Sequence, residues 1–157
     1  MRKSSTIAAS PRVQLAGFIK KYSPRIAADG RACLATMRKR MPRAHQFVYD
    51  NFNWLVIGFG PTARPSDAVF SLVFNPRWIT LCFLQDGPDI PDPHKLLKGS
   101  GTVVRSMRLT TPEDLESPGV RALMRDAMTM SWKPMPRGER GTMVVRAVAK
   151  RQRSRRP

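Results

Sequence analysis

The sequence is poor in the residues that most often carry out covalent catalysis or hold a metal. It contains only two cysteines, Cys33 and Cys82, and two histidines, His45 and His94. The spacing and surroundings of the cysteines do not indicate a disulfide framework or a zinc knuckle, which favours a reducing cytoplasm. No cysteine or serine accompanies His45 in a way that would indicate an activated nucleophile. These shortages favour a protein without a cofactor or a catalytic centre.

Acidic residues are scarce as well. The chain has 11 Asp and Glu against 28 Lys and Arg, a formal net charge of +17. The one group of candidate metal ligands lies in a proline-rich loop and consists of Asp86, Asp89, Asp92 and His94. Hard iron ions prefer clustered carboxylates and imidazoles, whereas loop residues separated by prolines are typical solvated turn formers. The sequence therefore disfavours a metal site and iron delivery, and its charge favours an anionic partner.

Long apolar runs are also missing. No stretch approaches the roughly 18–20 apolar residues of a membrane helix, and Pro11 and Arg12 interrupt the N-terminal segment before a secretion signal develops. The expectation is a cytoplasmic protein with no membrane contact. Its 157 residues suit one domain. The composition divides the chain into a flexible lead at 1–11, a domain at 12–148 and a basic, disordered tail at 149–157.

Helical patterns occupy the first third of the chain and a later segment. Apolar spacing predicts a short helix over Arg12–Tyr22, and Ser23 followed by Pro24 opens a second helix that runs to Pro42. We interpret Arg43–Tyr49 as a last helical turn or two. Thr111 followed by a proline and two acids predicts a further helix start, with a kink at Pro118-Gly119.

Strand patterns fill the region between these helices. Trp54–Phe59 has the composition of an inner strand, and Ala68–Leu84 alternates around a turn at Asn75-Pro76, which predicts an antiparallel hairpin. Thr102–Leu109 is expected in the same sheet, and Thr142–Val148 at its edge. The prediction is a single-domain α+β fold with an antiparallel sheet flanked by helices.

Several short motifs together resemble those of the YdhG-like family, a small bacterial domain of unknown function. They are Phe47–Asn51, Leu55–Pro61, Pro65–Ala68, Asn75–Trp78, and Leu96–Gly101 with Val104-Arg105. The resemblance spans roughly Ala44–Met128 and implies an α+β domain with an antiparallel sheet. One branch of the family has been linked to frataxin-like iron delivery, and the resemblance implies no catalytic residues.

A glycine-bearing loop is the clearest candidate for binding an anion. Lys98, Gly99, Ser100 and Gly101 form a segment whose backbone N–H groups can turn toward one point, and the lysine adds positive charge. The segment differs from a nucleotide-binding P-loop, because the required first glycine is absent and a strand follows instead of a helix. We therefore expect a small anion here, not a nucleotide held by a P-loop.

Arg105, just after this loop, is predicted to share a strand face with apolar residues, so that its guanidinium must be paired. Asp50 or Asp67 is the expected partner if the pairing is structural, and a ligand carboxylate or phosphate if it is functional. Three further residues either line the same pocket or serve as core and turn residues: Tyr49, Asn51 and Trp54.

The C-terminal segment is polybasic and is the alternative candidate site. Its cations are Lys150, Arg151, Arg153, Arg155 and Arg156, with no aromatic residue among them to stack on bases. Our interpretation is a non-catalytic binding module for a small anionic ligand or an anionic partner. The alternatives are weak, sequence-independent nucleic-acid binding through this tail, and an enzyme whose anionic substrate lies near Lys98 and Arg105.

Overall fold

The computed structural model of the protein describes residues 9–157. In this part of the chain three α-helices pack with six strands. The helices are α1 (Pro11–Lys20), α2 (Pro24–Arg40) and α3 (Pro118–Met130). The strands are β1 (His45–Asp50), β2 (Leu55–Gly60), β3 (Phe70–Phe74), β4 (Ile79–Phe83), β5 (Arg105–Leu109) and β6 (Met143–Val148). Most of the predicted lead, residues 1–8, lies outside the described residues.

The strands form one sheet in the order β5-β4-β3-β2-β1-β6. All neighbouring strands are antiparallel except β1 and β6, which run parallel at one edge. The α+β fold is therefore confirmed. The hairpin between β3 and β4 and the presence of β5 in the same sheet are also confirmed, and β6 is an edge strand as expected.

Each α-helix begins with a serine N-cap followed by proline. A serine accepts a hydrogen bond from the backbone N–H three residues later, at 3.3–3.4 Å, and a proline follows the serine directly. The three serines are Ser10, Ser23 and Ser117. Serine satisfies a free helical N–H, and proline at the first position needs no hydrogen bond. The helix start predicted at Ser23 is confirmed.

The core lies on one face of the sheet, which the helices cover. Alternate residues of the four strands β2–β5 enter it: Leu55, Ile57, Phe59, Phe70, Leu72, Phe74, Ile79, Leu81, Phe83, Met107 and Leu109. Gly30 brings α2 close to this face, because a Cβ there would lie 2.1 Å from the ring of Phe74. The opposite face is half-exposed at Tyr49, Val56, Val73 and Thr80.

Two helical predictions are corrected. Arg43–Tyr49 is not helical, because His45–Asp50 forms β1 and pairs with both β2 and β6. The aromatic and β-branched residues at 47–49 suit a strand between two neighbours. The turn after Thr111 is a short 3-10 segment, Pro112–Glu116, and α3 begins separately at Pro118. None of the helices in residues 9–157 has the length and apolar character needed to cross a bilayer.

Candidate functional site

The loop predicted to bind an anion uses one of its amides within the fold. Lys98 N–H donates to Ser106 at 2.7 Å and Lys98 C=O accepts from Ser106 at 2.9 Å, which adds a one-residue bridge beside β5. Gly99 has a φ of +128°, a conformation that favours glycine. All four residues of the loop are exposed. Backbone pairing at Lys98 therefore holds the loop beside β5 at the surface, and within residues 9–157 the N–H groups of Gly99, Ser100 and Gly101 have no backbone acceptor.

Arg105 is half-buried and has no carboxylate partner among the described residues. Its Nη1 donates to the carbonyls of Gly101 and Val104, the latter at 3.0 Å. Its side chain shares the helix-covered face with Met107 and Leu109, as alternation predicts, but β5 is an edge strand and Arg105 is its first residue. The predicted pairing with Asp50 or Asp67 is wrong, because the guanidinium at this open edge reaches nearby carbonyls and solvent instead.

Asp67 has local partners of its own. Thr62 Oγ1 donates to its carboxylate at 2.7 Å, and Lys133 Nζ lies 3.1 Å from the same oxygen. The hydrogen bond from Thr62 and then that from Lys133 lower the pKa of Asp67 below its ordinary value. This carboxylate therefore joins the β2–β3 connection to the linker that follows α3.

Asp50 is the most deeply buried charge of the sheet, with no exposed surface. Lys21 Nζ lies 2.6 Å from one carboxylate oxygen, and Arg155 Nη2 lies 2.9 Å from the other. Burial opposes ionisation of Asp50, but hydrogen bonds from Lys21, Gln152 and Arg155 outweigh it and lower the pKa of this carboxyl. Asp50 does form a buried ion pair with an arginine, but that arginine is Arg155 and not the predicted Arg105.

The C-terminal segment packs against the domain, so the prediction that 149–157 is disordered is wrong. Arg155 is only 4% exposed and donates to the carbonyls of Asn51 and Phe52 as well as to Asp50. The backbone N–H groups of Ala149 and Arg153 donate to Asp50 and Phe52 at 2.8 Å each. A buried carboxylate must be neutralised, and this requirement holds an otherwise polar segment in place.

Four cations of the tail remain at the surface: Lys150, Arg151, Arg153 and Arg156. Arg155 is not available to a phosphate group, because its guanidinium faces Asp50. The tail therefore offers one charge fewer to a partner than its sequence indicates, and it offers the others from a fixed position.

The predicted pocket residues fall into two separate groups. Tyr49, Asn51 and Trp54 share the face opposite the helices, since Tyr49 pairs with Val56 and Asn51 N–H donates to the Trp54 carbonyl at 2.9 Å. Arg105 aligns across the sheet with Phe83, Phe70 and Phe59, at the other end of β2 and on the other face. The structure therefore does not bring Lys98–Gly101 and Arg105 together with the three outer-face residues.

A groove of about 230 Å³ between α1 and α2 was not predicted from the sequence. Three arginines line it, namely Arg12, Arg31 and Arg38. Its other lining residues are apolar: Leu15, Ala16, Ile19 and Leu34. Among residues 9–157, no acidic residue lines the groove. The groove therefore combines apolar side chains with three cations.

Within the described residues, none of the three groove arginines has a carboxylate within ion-pair distance. Burial lowers the pKa of Arg38, and the nearby charge of Arg12 lowers it further. Arg38 Nε donates to Gln46 Oε1 at 3.1 Å, a neutral acceptor. Residues 11–40 contain a single acid, Asp29, and the following cations: Arg12, Lys20, Lys21, Arg25, Arg31, Arg38, Lys39 and Arg40. An anion in the groove would relieve the repulsion between its arginines.

One sequence signal points to part of the groove. Arg31 and Arg38 lie seven residues apart, which places them on the same side of α2, with Leu34 between them. Arg12 joins them only because α1 packs beside α2 in the folded protein. The spacing was visible in the sequence, but the meeting of the two helices was not.

Burial keeps both thiols in their protonated form. Burial, and then the charge of Asp29, raises the pKa of the Cys33 thiol to about 12. Burial also raises the pKa of Cys82. His45 Nδ1 lies 3.2 Å from Thr142 Oγ1. Thiolates are the nucleophilic form of cysteine, so these two side chains are poorly placed to react.

Two acids of the proline-rich loop, Asp86 and Asp92, accept hydrogen bonds within the fold. The two carboxylate oxygens of Asp92 accept from the N–H groups of Leu96 and Leu97, each at 2.9 Å. Asp86 accepts from Trp132 Nε1 at 2.9 Å. Within residues 9–157, no group of three or more His, Cys, Asp and Glu side chains is arranged to hold a metal ion.

Comparison with known proteins does not extend these observations. No family model matches the chain, and no curated protein or solved structure matches it either. The resemblance to the YdhG-like family stays a prediction.

Proposed function

We propose that the protein is a non-catalytic, cytoplasmic binding module for a small anionic ligand, and that the groove between α1 and α2 is its binding site. The observation that carries this proposal is the grouping of Arg12, Arg31 and Arg38 around one groove without an acidic residue. Side chains of like charge repel one another, and a bound anion compensates that cost.

The groove also indicates the chemistry of the ligand. Guanidinium groups bind phosphate and carboxylate oxygens in pairs of parallel hydrogen bonds. The floor between them is apolar, so a ligand gains from burying a short hydrocarbon portion there. The volume of about 230 Å³ lies below that of most drug-sized sites. The proposed ligand is therefore a small amphiphilic anion.

The alternative of an enzyme near Lys98 and Arg105 has less support. Lys98 is exposed, and Arg105 is engaged with the carbonyls of its own loop. Neither cysteine lies in a setting that favours a thiolate. A non-catalytic binding module requires no reactive group among Lys98, Arg105 and the two cysteines.

Octyl phosphate is a suitable probe for calorimetric titration. Inorganic phosphate, which has the charge without the alkyl chain, and octyl glucoside, which has the alkyl chain without the charge, are the comparison ligands. We expect saturable binding of octyl phosphate and weaker binding of the other two. Replacing both Arg12→Gln and Arg31→Gln should weaken binding by more than about tenfold, since each lost charge-assisted hydrogen bond contributes roughly 1.5–3 kcal/mol.

The matched control replaces Arg137→Gln and Arg140→Gln, two exposed linker arginines that do not line the groove. It removes the same total charge and should change the affinity by less than about threefold. Absence of saturable binding to the unmodified protein, or an equal loss in both double variants, would contradict the proposed site.

A further inference from the structure

Aromatic side chains gather at one end of the sheet, at the tips of two hairpins. The β1–β2 turn carries Phe52 and Trp54, which are 46% and 37% exposed, and the β3–β4 turn carries the half-buried Trp78. The two turns are neighbours, because Leu55 at the start of β2 pairs with Phe74 at the end of β3. We call Phe52, Trp54 and Trp78 the aromatic end.

Arginines lie directly on two of these rings. The guanidinium carbon of Arg108 is 3.6 Å from the centre of the Trp78 ring, and that of Arg153 is 5.7 Å from the centre of the Phe52 ring. The first distance is that of a guanidinium stacked on the indole. A stacked guanidinium keeps its N–H edge free for an anion while its face rests on the ring.

Further positive charge surrounds the same end. Arg25, Arg77 and Arg108 line a pocket of about 220 Å³ beside Trp78. The acid in this pocket, Asp29, lies 3.8 Å from Arg25. The other acid at this end, Asp50, is fully buried and paired with Lys21 and Arg155. The exposed charge at the aromatic end is therefore strongly positive.

We infer that the aromatic end binds single-stranded nucleic acid, with bases stacked on its rings and phosphates held by the adjacent arginines. Single strands expose base faces and backbone charge together, which is the combination that interleaved aromatic and cationic side chains match. A duplex hides the faces of its bases and gains nothing from the rings. Two of the three rings have a guanidinium over them, so this end lacks the continuous apolar face that inserts into a lipid surface.

This inference goes beyond the proposed function, since it concerns a different surface and a polymeric ligand. The polybasic tail contains no aromatic residue, but the fold places its Arg153 on Phe52, about 100 residues earlier in the chain. Stacking side chains and tail cations thus become one surface only in the folded protein.

The decisive measurement is fluorescence anisotropy of a labelled 12-nucleotide oligo-dT, with a duplex of the same length for comparison. We expect the single strand to bind more tightly than the duplex. Trp54→Ala should weaken binding of the single strand by about 5- to 100-fold, the range of single base-stacking contacts. Trp132→Ala is the matched control, because Trp132 is also exposed but lies in the linker after α3.

Two further variants examine the charges. Arg108→Gln and Arg153→Gln should each lower the slope of log K against log salt by about 0.7, as expected when one phosphate contact to a single strand is lost. Circular dichroism of each variant checks that it is folded. The groove variant with Arg12→Gln and Arg31→Gln should retain binding of oligo-dT to within about threefold, which separates this inference from the proposed function.

Three results would overturn the inference. Equal affinity for single strand and duplex, unaffected by Trp54→Ala, would indicate plain electrostatic attraction. Equal losses in Trp54→Ala and Trp132→Ala would show that the aromatic end is not the interface. Binding to vesicles of anionic lipid that depends on Trp54, without binding to oligo-dT, would assign the surface to a membrane instead.

Discussion

Arg155, in the C-terminal segment, and Arg105, the first residue of β5, lie in opposite environments. Both fold a guanidinium back onto backbone carbonyls. Arg155 also reaches a fully buried carboxylate and is itself 4% exposed, whereas Arg105 meets only the carbonyls of its loop and stays half-exposed. A buried carboxylate within reach is what distinguishes the surroundings of Arg155 from those of Arg105.

The position of each arginine in the sheet explains this difference. Asp50 ends β1, which lies between β2 and β6, and the corner between α1 and α2 closes over it through Lys21. Arg105 begins β5, an edge strand with no carboxylate within ion-pair distance among the described residues. A buried charge inside the sheet is costly unless paired, while a charge at the edge reaches water at little cost.

The largest effect expected from this contrast is that of Arg155→Ala. The substitution removes one of the two cations that neutralise buried Asp50 and should lower the free energy of unfolding by about 3 kcal/mol. This is the low end for a broken buried pair, because Lys21 remains. Denaturant unfolding measures the loss, and Arg151→Ala, which removes an exposed arginine of the same segment, is the control. If both variants unfold at the same denaturant concentration, the tail contact does not stabilise the protein.

Acid should weaken the Asp50 contact in a defined pH range. The pKa of Asp50 is lowered in the folded protein, so its ionised form stabilises the fold above the unfolded value of about 4, and this contribution is lost as the pH falls through the lower folded value. The stability difference between the protein and Asp50→Asn should therefore shrink below about pH 4. Denaturant unfolding of both at pH 7, 5 and 3 measures it. A difference that stays constant with pH would contradict the assigned protonation.

The smallest effect expected is that of Arg105→Ala. Its guanidinium is half-exposed and bonds to neutral carbonyls within its own loop, so the substitution should cost less than about 1 kcal/mol of unfolding free energy. Denaturant unfolding of Arg105→Ala and Arg155→Ala under the same conditions measures the two losses of unfolding free energy. A loss as large as that of Arg155→Ala would show that the loop carries a contact comparable to the ion pair.

Much of the fold follows from local signals. The alternation of Phe70, Leu72 and Phe74 and the turn after Phe74 are short-range features, and the structure places them as predicted. The serine–proline helix starts are local as well. The helical prediction for Arg43–Tyr49 was wrong because the apolar residues of this segment suit a helix or a strand. Pairing with β2 and with the distant strand β6 makes most of it a strand.

The site was less accessible to sequence reasoning. Alternation correctly placed Arg105 on the helix side of β5 but gave no information on how far helices cover that edge. The partner of Asp50 lies 105 residues away in a segment that composition alone marks as disordered. The groove between α1 and α2 depends on how two helices pack, and the aromatic end on how two hairpins align. Such long-range juxtapositions leave no local pattern.

The parallel pairing of β1 with β6 has a consequence for the order in which the protein assembles during synthesis. About 90 residues separate the two strands, so β1 emerges from the ribosome long before its outer neighbour exists. Until then the outer edge of β1, which β6 later covers, presents unpaired backbone groups that another chain can pair with. Closing so long a loop is slow and entropically costly, which makes docking of the last strand a late event. The nascent chain is therefore most vulnerable to aggregation at His45–Asp50.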